Sequence, residues 1–130
     1  MASNVYRGLT IEIDGKTDKL TAALSRVNGE VKTANNSLAG LNRALKIDPG
    51  NLTLMGDKVK AAGAKVDATK KRVDSLTQAQ QRLAASGDTD SATYQRLGQD
   101  IATSQVYLSK YSKQLGQARV EYSAQESALG

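Results

Sequence analysis

Three groups of side chains have the types and spacing to do chemistry. Asp88-Thr89-Asp90-Ser91 resembles the opening of an oxygen-ligand calcium loop. Such a loop also needs a glycine at its sixth place and a glutamate at its twelfth. Neither is present, so the stretch reads as a turn and a helix cap. From Asp57 to Arg72 the chain carries Lys58, Lys60, Lys65, Lys70, Lys71 and Arg72 against Asp57 and Asp67. A basic run of this kind meets nucleic acid or an acidic partner, or is a solvated helix face. No aromatic residues interleave with it, which favours the solvated face. Tyr94, Tyr111 and Tyr122, with Tyr107 beside them, recur at helical spacing and read as packing with an edge hydroxyl rather than a ligand pocket. There is no phosphate loop, no nucleophile elbow and no pair of carboxylates on a shared face. The chain has no cysteine and no histidine, which removes thiol catalysis, Cys/His zinc sites and imidazole acid–base chemistry. No catalytic, cofactor-binding or metal-binding residue is assigned, and the chain does not read as an enzyme.

The elements that hold these residues follow from composition and period. The 130 residues fit one domain or one elongated module. They are 39% hydrophobic with five Tyr, no Phe and no Trp. Large aromatics bury about 150–250 Å² each in a thick core. Leu, Val and Ala instead suit thin helix-to-helix seams. The formal net charge of +5 favours acidic surroundings (nucleic acid, an anionic membrane, an acidic protein wall) and selects none of them. No apolar run approaches the roughly 20 residues of a membrane span, and the first residues lack a secretion-signal layout.

Leu9, Ile11 and Ile13 alternate with Thr10 and Glu12, the pattern of a short half-buried strand. A lone strand is unstable, so this one must pair with another copy, with another protein, or lie on the helices. Residues 14–18 form a turn with Thr17 or Asp18 as helix cap. Then Leu20, Leu24, Val27, Val31, Ala34, Leu38, Leu41 and Leu45 recur in steps of 4 and 3, an unbroken a/d heptad seam that predicts a helix over 18–46. Asp48 and Pro49 end it. Pro49 lacks an N–H but is tolerated in a first turn, so Asp48 is the expected cap of the next helix. The seam resumes over 51–85 through Leu52, Met55, Val59, Ala62, Val66, Val73, Leu76 and Leu83, with Thr69 and Gln80 as polar interruptions. Residues 84–92 break it again: Gly87 suits a C-cap, and Asp88, Asp90 or Ser91 the next N-cap. A third helix over 91–128 carries Tyr94, Leu97, Ile101, Leu108, Tyr111, Leu115, Ala118, Tyr122 and Leu129, interrupted by Ser104 and Gln125. Loops this short join antiparallel neighbours.

The expected fold is therefore mainly α: an elongated antiparallel coiled-coil hairpin or three-helix bundle with a short N-terminal β-strand. Residues 1–17 hold the strand and turn, and residues 18–130 the helical module. Interior glycines weaken isolated helices, and Asp67–Lys71 is one of few well-oriented ion pairs at i,i+4. The helices need partners along their seams. Those seams can close within one chain or between chains, and their mix of Leu, Val and Ala selects neither dimer nor trimer.

Residues 7–51 carry a resemblance. A strand-like opening, a Gly-Thr turn, a heptad helix and a Leu-Lys-Ile-Asp-Pro turn before a second long helix resemble the N-terminal region of tail tape measure proteins of long-tailed bacteriophages. The matching positions are Leu9–Ile13, Gly15, Thr17, Leu20, Ala23, Leu24, Leu45–Pro49 and Asn51, and the likeness extends to about residue 85. Gly50 departs from the family, which often places a polar residue there. The resemblance implies a structural virion protein. A few extended copies occupy the tail tube lumen, set tube length during assembly in the host cytoplasm, and leave ahead of the DNA. It implies self-association and contact with tail tube or tail-end proteins; DNA is not indicated as a partner. Even one continuous helix of this chain would reach only about 195 Å, so the chain is expected to be part of a longer ruler. A folded-back segment is a poor ruler, which points to an end module that anchors the ruler or sets its copy number. Two other readings stand beside this one. The first is a helical-hairpin binding or adaptor module unrelated to phage. The second is a basic coiled coil that binds nucleic acid through Lys70, Lys71 and Arg72.

Overall fold

The computed structural model describes residues 12–13, 16–17, 20–89 and 91–130. It is mainly helical. Helix α1 spans Leu20–Ile47, α2 Leu52–Ala85 and α3 Ala92–Leu129. They contain 28, 34 and 38 residues, or about 42, 51 and 57 Å at the α-helical rise. Leu9 and Ile11 lie outside the described residues. Glu12–Ile13 and Lys16–Thr17 form a two-residue antiparallel ladder, Glu12 opposite Thr17 and Ile13 opposite Lys16. That ladder does not show the expected strand over 9–13.

Each break between helices has a local cause. After Ile47 the Asp48 N–H bonds the Ala44 carbonyl at 3.0 Å, which closes the last turn of α1. The cap of α2 is Asn51 rather than Asp48: its side-chain oxygen accepts from Leu54 N–H at 3.0 Å, while its amide donates to Asp48 Oδ2 at 3.1 Å. Pro49 thus sits in the turn and not in the first turn of α2. Gly50, the poorest helix former here after proline, lies in the turn as well, and the cap falls three residues beyond Asp48. At the far end of α2 the Gly87 N–H bonds Ala84 and the Asp88 N–H bonds Leu83, at 3.0 and 2.9 Å. This is a Schellman ending, and Gly87 supplies the left-handed residue it needs, with φ +89°. Ser91 caps α3, its hydroxyl accepting from Tyr94 N–H at 3.1 Å. Asp88 Oδ1 accepts from the Ser91 N–H, so this carboxylate is engaged in the turn. Asp90 lies outside the described residues.

Helix α2 stands between the other two and packs on both. Contacts run in opposite directions along each pair. On one side Lys71 and Arg72 meet Glu30 and Asn28 of α1. On the other, Gln80, Arg72 and Lys65 meet Tyr94, Ser104 and Tyr111 of α3 in turn. The apolar interior forms two clusters. Leu20, Leu24, Leu76, Ala79, Leu83 and Leu97 pack where α1 and α3 begin. Ala62, Val66 and Leu115 pack farther along, with Leu38, Val59, Leu108 and Tyr111 against them. All of these residues but Ala79 lie on the a/d rows that the heptad spacing picks out.

Candidate functional site

Between the two apolar clusters lies a polar layer. Thr69 and Ser104, the interruptions in two seams, are both buried. The Thr69 hydroxyl donates back to the Lys65 carbonyl at 2.8 Å. Arg72 crosses the bundle: its Nε donates to Ser104 Oγ on α3 at 3.0 Å, and its Nη1 donates to Asn28 Oδ1 on α1 at 3.1 Å. One guanidinium therefore ties all three helices at a single level. Its planar fork of donors suits this geometry better than a lysine would.

Beyond that layer, toward the end of α1 and the start of α2, the space between α1 and α3 opens into a trough of about 450 Å³. Lys58, Ala62 and Lys65 of α2 line it, between Asn35, Leu38 and Asn42 of α1 and Tyr111, Gln114, Gln117 and Glu121 of α3. The Lys65 ammonium lies 3.8 Å from the centre of the Tyr111 ring. Tyr111 in turn stacks on Tyr107, with ring centres 5.8 Å apart. Burial, and then the charge of Lys110, holds the Lys65 ammonium below its ordinary pKa. Burial, and then Tyr107, raises the Tyr111 phenol above its own. Among the described residues, no carboxylate forms an ion pair with Lys58 or Lys65.

The structure sorts the basic run by facing. Lys58, Lys65 and Arg72 repeat every seven residues and turn inward. Lys60 and Lys70 are exposed. Lys71 reaches Glu30 of α1 at 3.5 Å rather than Asp67 one turn away on its own helix. Arg72 is thus a structural cross-brace and not part of an outward basic face.

Of the seam residues, Leu20, Leu24, Val27, Val66, Leu76, Leu97 and Leu115 are buried. Val31, Leu38, Leu41, Leu45, Val59, Val73, Ile101 and Leu108 are half-buried. Leu129 is the exception on its stripe, at 64% exposed. Gln125 Nε2 already reaches the Gly50 carbonyl at 2.9 Å, so the last turn of α3 runs past the turn that ends the bundle. The heptad reading missed a second buried row on α2, Ala61, Ala68 and Ala79. A middle helix needs two covered faces. The available signal was small residues recurring next to the a/d stripe.

Among the described residues, no group of three or more His, Cys, Asp or Glu side chains lies together to hold a metal ion. No described helix is long and apolar enough to cross a membrane. No family model matches the sequence, and no curated protein or solved structure matches it either.

Proposed function

We propose that this chain is a structural module of the phage tape measure type, an antiparallel coiled-coil end piece that anchors a longer ruler inside a tail tube. The observation that carries the reading is the double fold-back: three long helices cover one another's a/d stripes and leave a slender rod. The Leu45–Asn51 turn, where the resemblance is most specific, makes the first of these reversals. Its longest helix reaches about 57 Å, too short to measure a tail but sufficient to seat one end of a filament. In this reading a few copies associate, and residues Leu9–Ile13 pair as a strand with a tail tube or tail-end protein or across copies.

The test has two parts. The reading frame downstream of Gly130 should continue with helical sequence for hundreds of residues; a stop codon at that point would count against a ruler. In the parent phage, deleting residues 1–14 should disturb copy number or tail length. Tails of normal length with normal copy number would remove the anchoring role.

A further inference from the structure

We propose that the trough between α1 and α3, floored by Lys58 and Lys65, binds an extended acidic segment of a protein partner. This inference is independent of the ruler reading. Lys58 and Lys65 lie seven residues apart on one helix, about 10.5 Å along its axis. A single small anion does not span that separation. An extended peptide, rising about 3.3 Å per residue, places two carboxylates at such a distance within a few residues. The flexible lysine stems absorb the remaining mismatch.

The walls fit the same occupant. Asn35 and Asn42 on α1 and Gln114 and Gln117 on α3 present amide donors and acceptors along both sides. A helical partner satisfies its own backbone and has no use for them; an extended one leaves backbone N–H and C=O groups that these amides pair. Lys65 is partly desolvated, and among the described residues only the Tyr111 face stabilises it. A carboxylate entering the trough supplies the charge-assisted hydrogen bond that the fold leaves open. Glu121 stands at the α3 wall, accepting from Gln117 Nε2 at 3.3 Å, and disfavours a long unbroken run of acids.

Nucleic acid fits less well. Single strands bind where bases stack on free aromatic faces. The one ring in the trough, Tyr111, is already covered by Lys65 and stacked on Tyr107.

The test is fluorescence anisotropy of a labelled ten-residue peptide of alternating glutamate and serine, titrated with the full chain at about 0.15 M ionic strength. Lys58→Gln with Lys65→Gln should weaken binding by about tenfold or more, the loss of charge-assisted contacts. Lys60→Gln with Lys70→Gln removes the same charge from the same helix outside the trough and should change affinity by less than about twofold, as for screened surface charge. Circular dichroism of both variants must match the parent. The proposal is overturned by no binding, or by equal losses in the two double variants. It is also overturned if a DNA duplex binds more tightly than the peptide with the same dependence on Lys58 and Lys65.

Discussion

Replacing Arg72 with alanine removes a side chain of α2 that hydrogen-bonds to both α1 and α3. Two hydrogen bonds from a charged donor are lost, to Ser104 Oγ at 3.0 Å and to Asn28 Oδ1 at 3.1 Å. A hydrogen bond to a charged group contributes about 1.5–3 kcal/mol. Arg72 is only half-buried, so the lower figure applies to each. Asn28 can rehydrate. Ser104, 3% exposed, cannot, although its hydroxyl can turn back to a carbonyl of its own helix. The expected loss is about 2–3 kcal/mol, a large share of the roughly 5–15 kcal/mol that holds a domain together. Urea denaturation followed by far-ultraviolet circular dichroism reads it as a lower midpoint with unchanged slope. A double-mutant cycle with Ser104→Ala should return a coupling of about 1 kcal/mol. Lys70→Ala, exposed and two residues away, should cost less than about 0.5 kcal/mol. If Arg72→Ala and Lys70→Ala cost the same, the cross-brace is not a structural element and the polar layer has been misread.

Leu76 and Leu97 are fully buried in the cluster where α3 begins, so either one replaced by alanine should lower stability by about 2–5 kcal/mol. Leu129→Ala should stay within about 0.5 kcal/mol in the same urea melts. Gly87→Ala forces a Cβ into a backbone at φ +89° and should cost about 1–2 kcal/mol, read as a lower melting temperature. Lys65 and Tyr111 pull in opposite directions at alkaline pH. The folded chain gives up the Lys65 proton before the unfolded chain does, so this residue adds stability as pH rises toward its ordinary 10.5. The folded chain keeps the Tyr111 proton longer, so this residue subtracts stability as pH climbs above its ordinary 10.0. Compared with the parent, Tyr111→Phe should lose less stability in that window and Lys65→Met should lose more. Parallel profiles for all three proteins would refute the assignment.

The heptad rows were legible because an apolar residue in every step of 3 or 4 has few other uses in a helix. The breaks were legible too, since Pro49 lacks the N–H that a helix interior requires and Gly87 readily takes the left-handed conformation that ends one. What the pattern did not reveal is which helix lies in the middle. The second face of α2 is built from Ala61, Ala68 and Ala79, small residues that look the same on a surface as in a seam. The inward lysines and Arg72 were read with their exposed neighbours as one basic run. Their facing is set by the positions of α1 and α3, and no local rule carries that information. The cap of α2 moved from Asp48 to Asn51 for a nearer reason. Asn51 offers both an acceptor for Leu54 and a donor for Asp48, and Asp48 alone offers only the acceptor. Thr69 and Ser104 were visible as gaps in the stripes, but the stripes do not show that Thr69 turns its hydroxyl back on the Lys65 carbonyl or that Ser104 accepts from Arg72 across the bundle.

Whether the stripes close inside one chain is decided by zero-length carbodiimide coupling of a mixture of light and heavy-isotope-labelled chains. Lys71 Nζ lies 3.5 Å from Glu30 Oε2, with side chains 62% and 38% exposed, so the reagent reaches both. Folding of α1 onto α2 of the same chain predicts Lys71–Glu30 isopeptide links in the monomer, light joined to light and heavy to heavy. Links found only in dimers, with light and heavy peptides joined at random, would mean that the helices cover one another between chains instead.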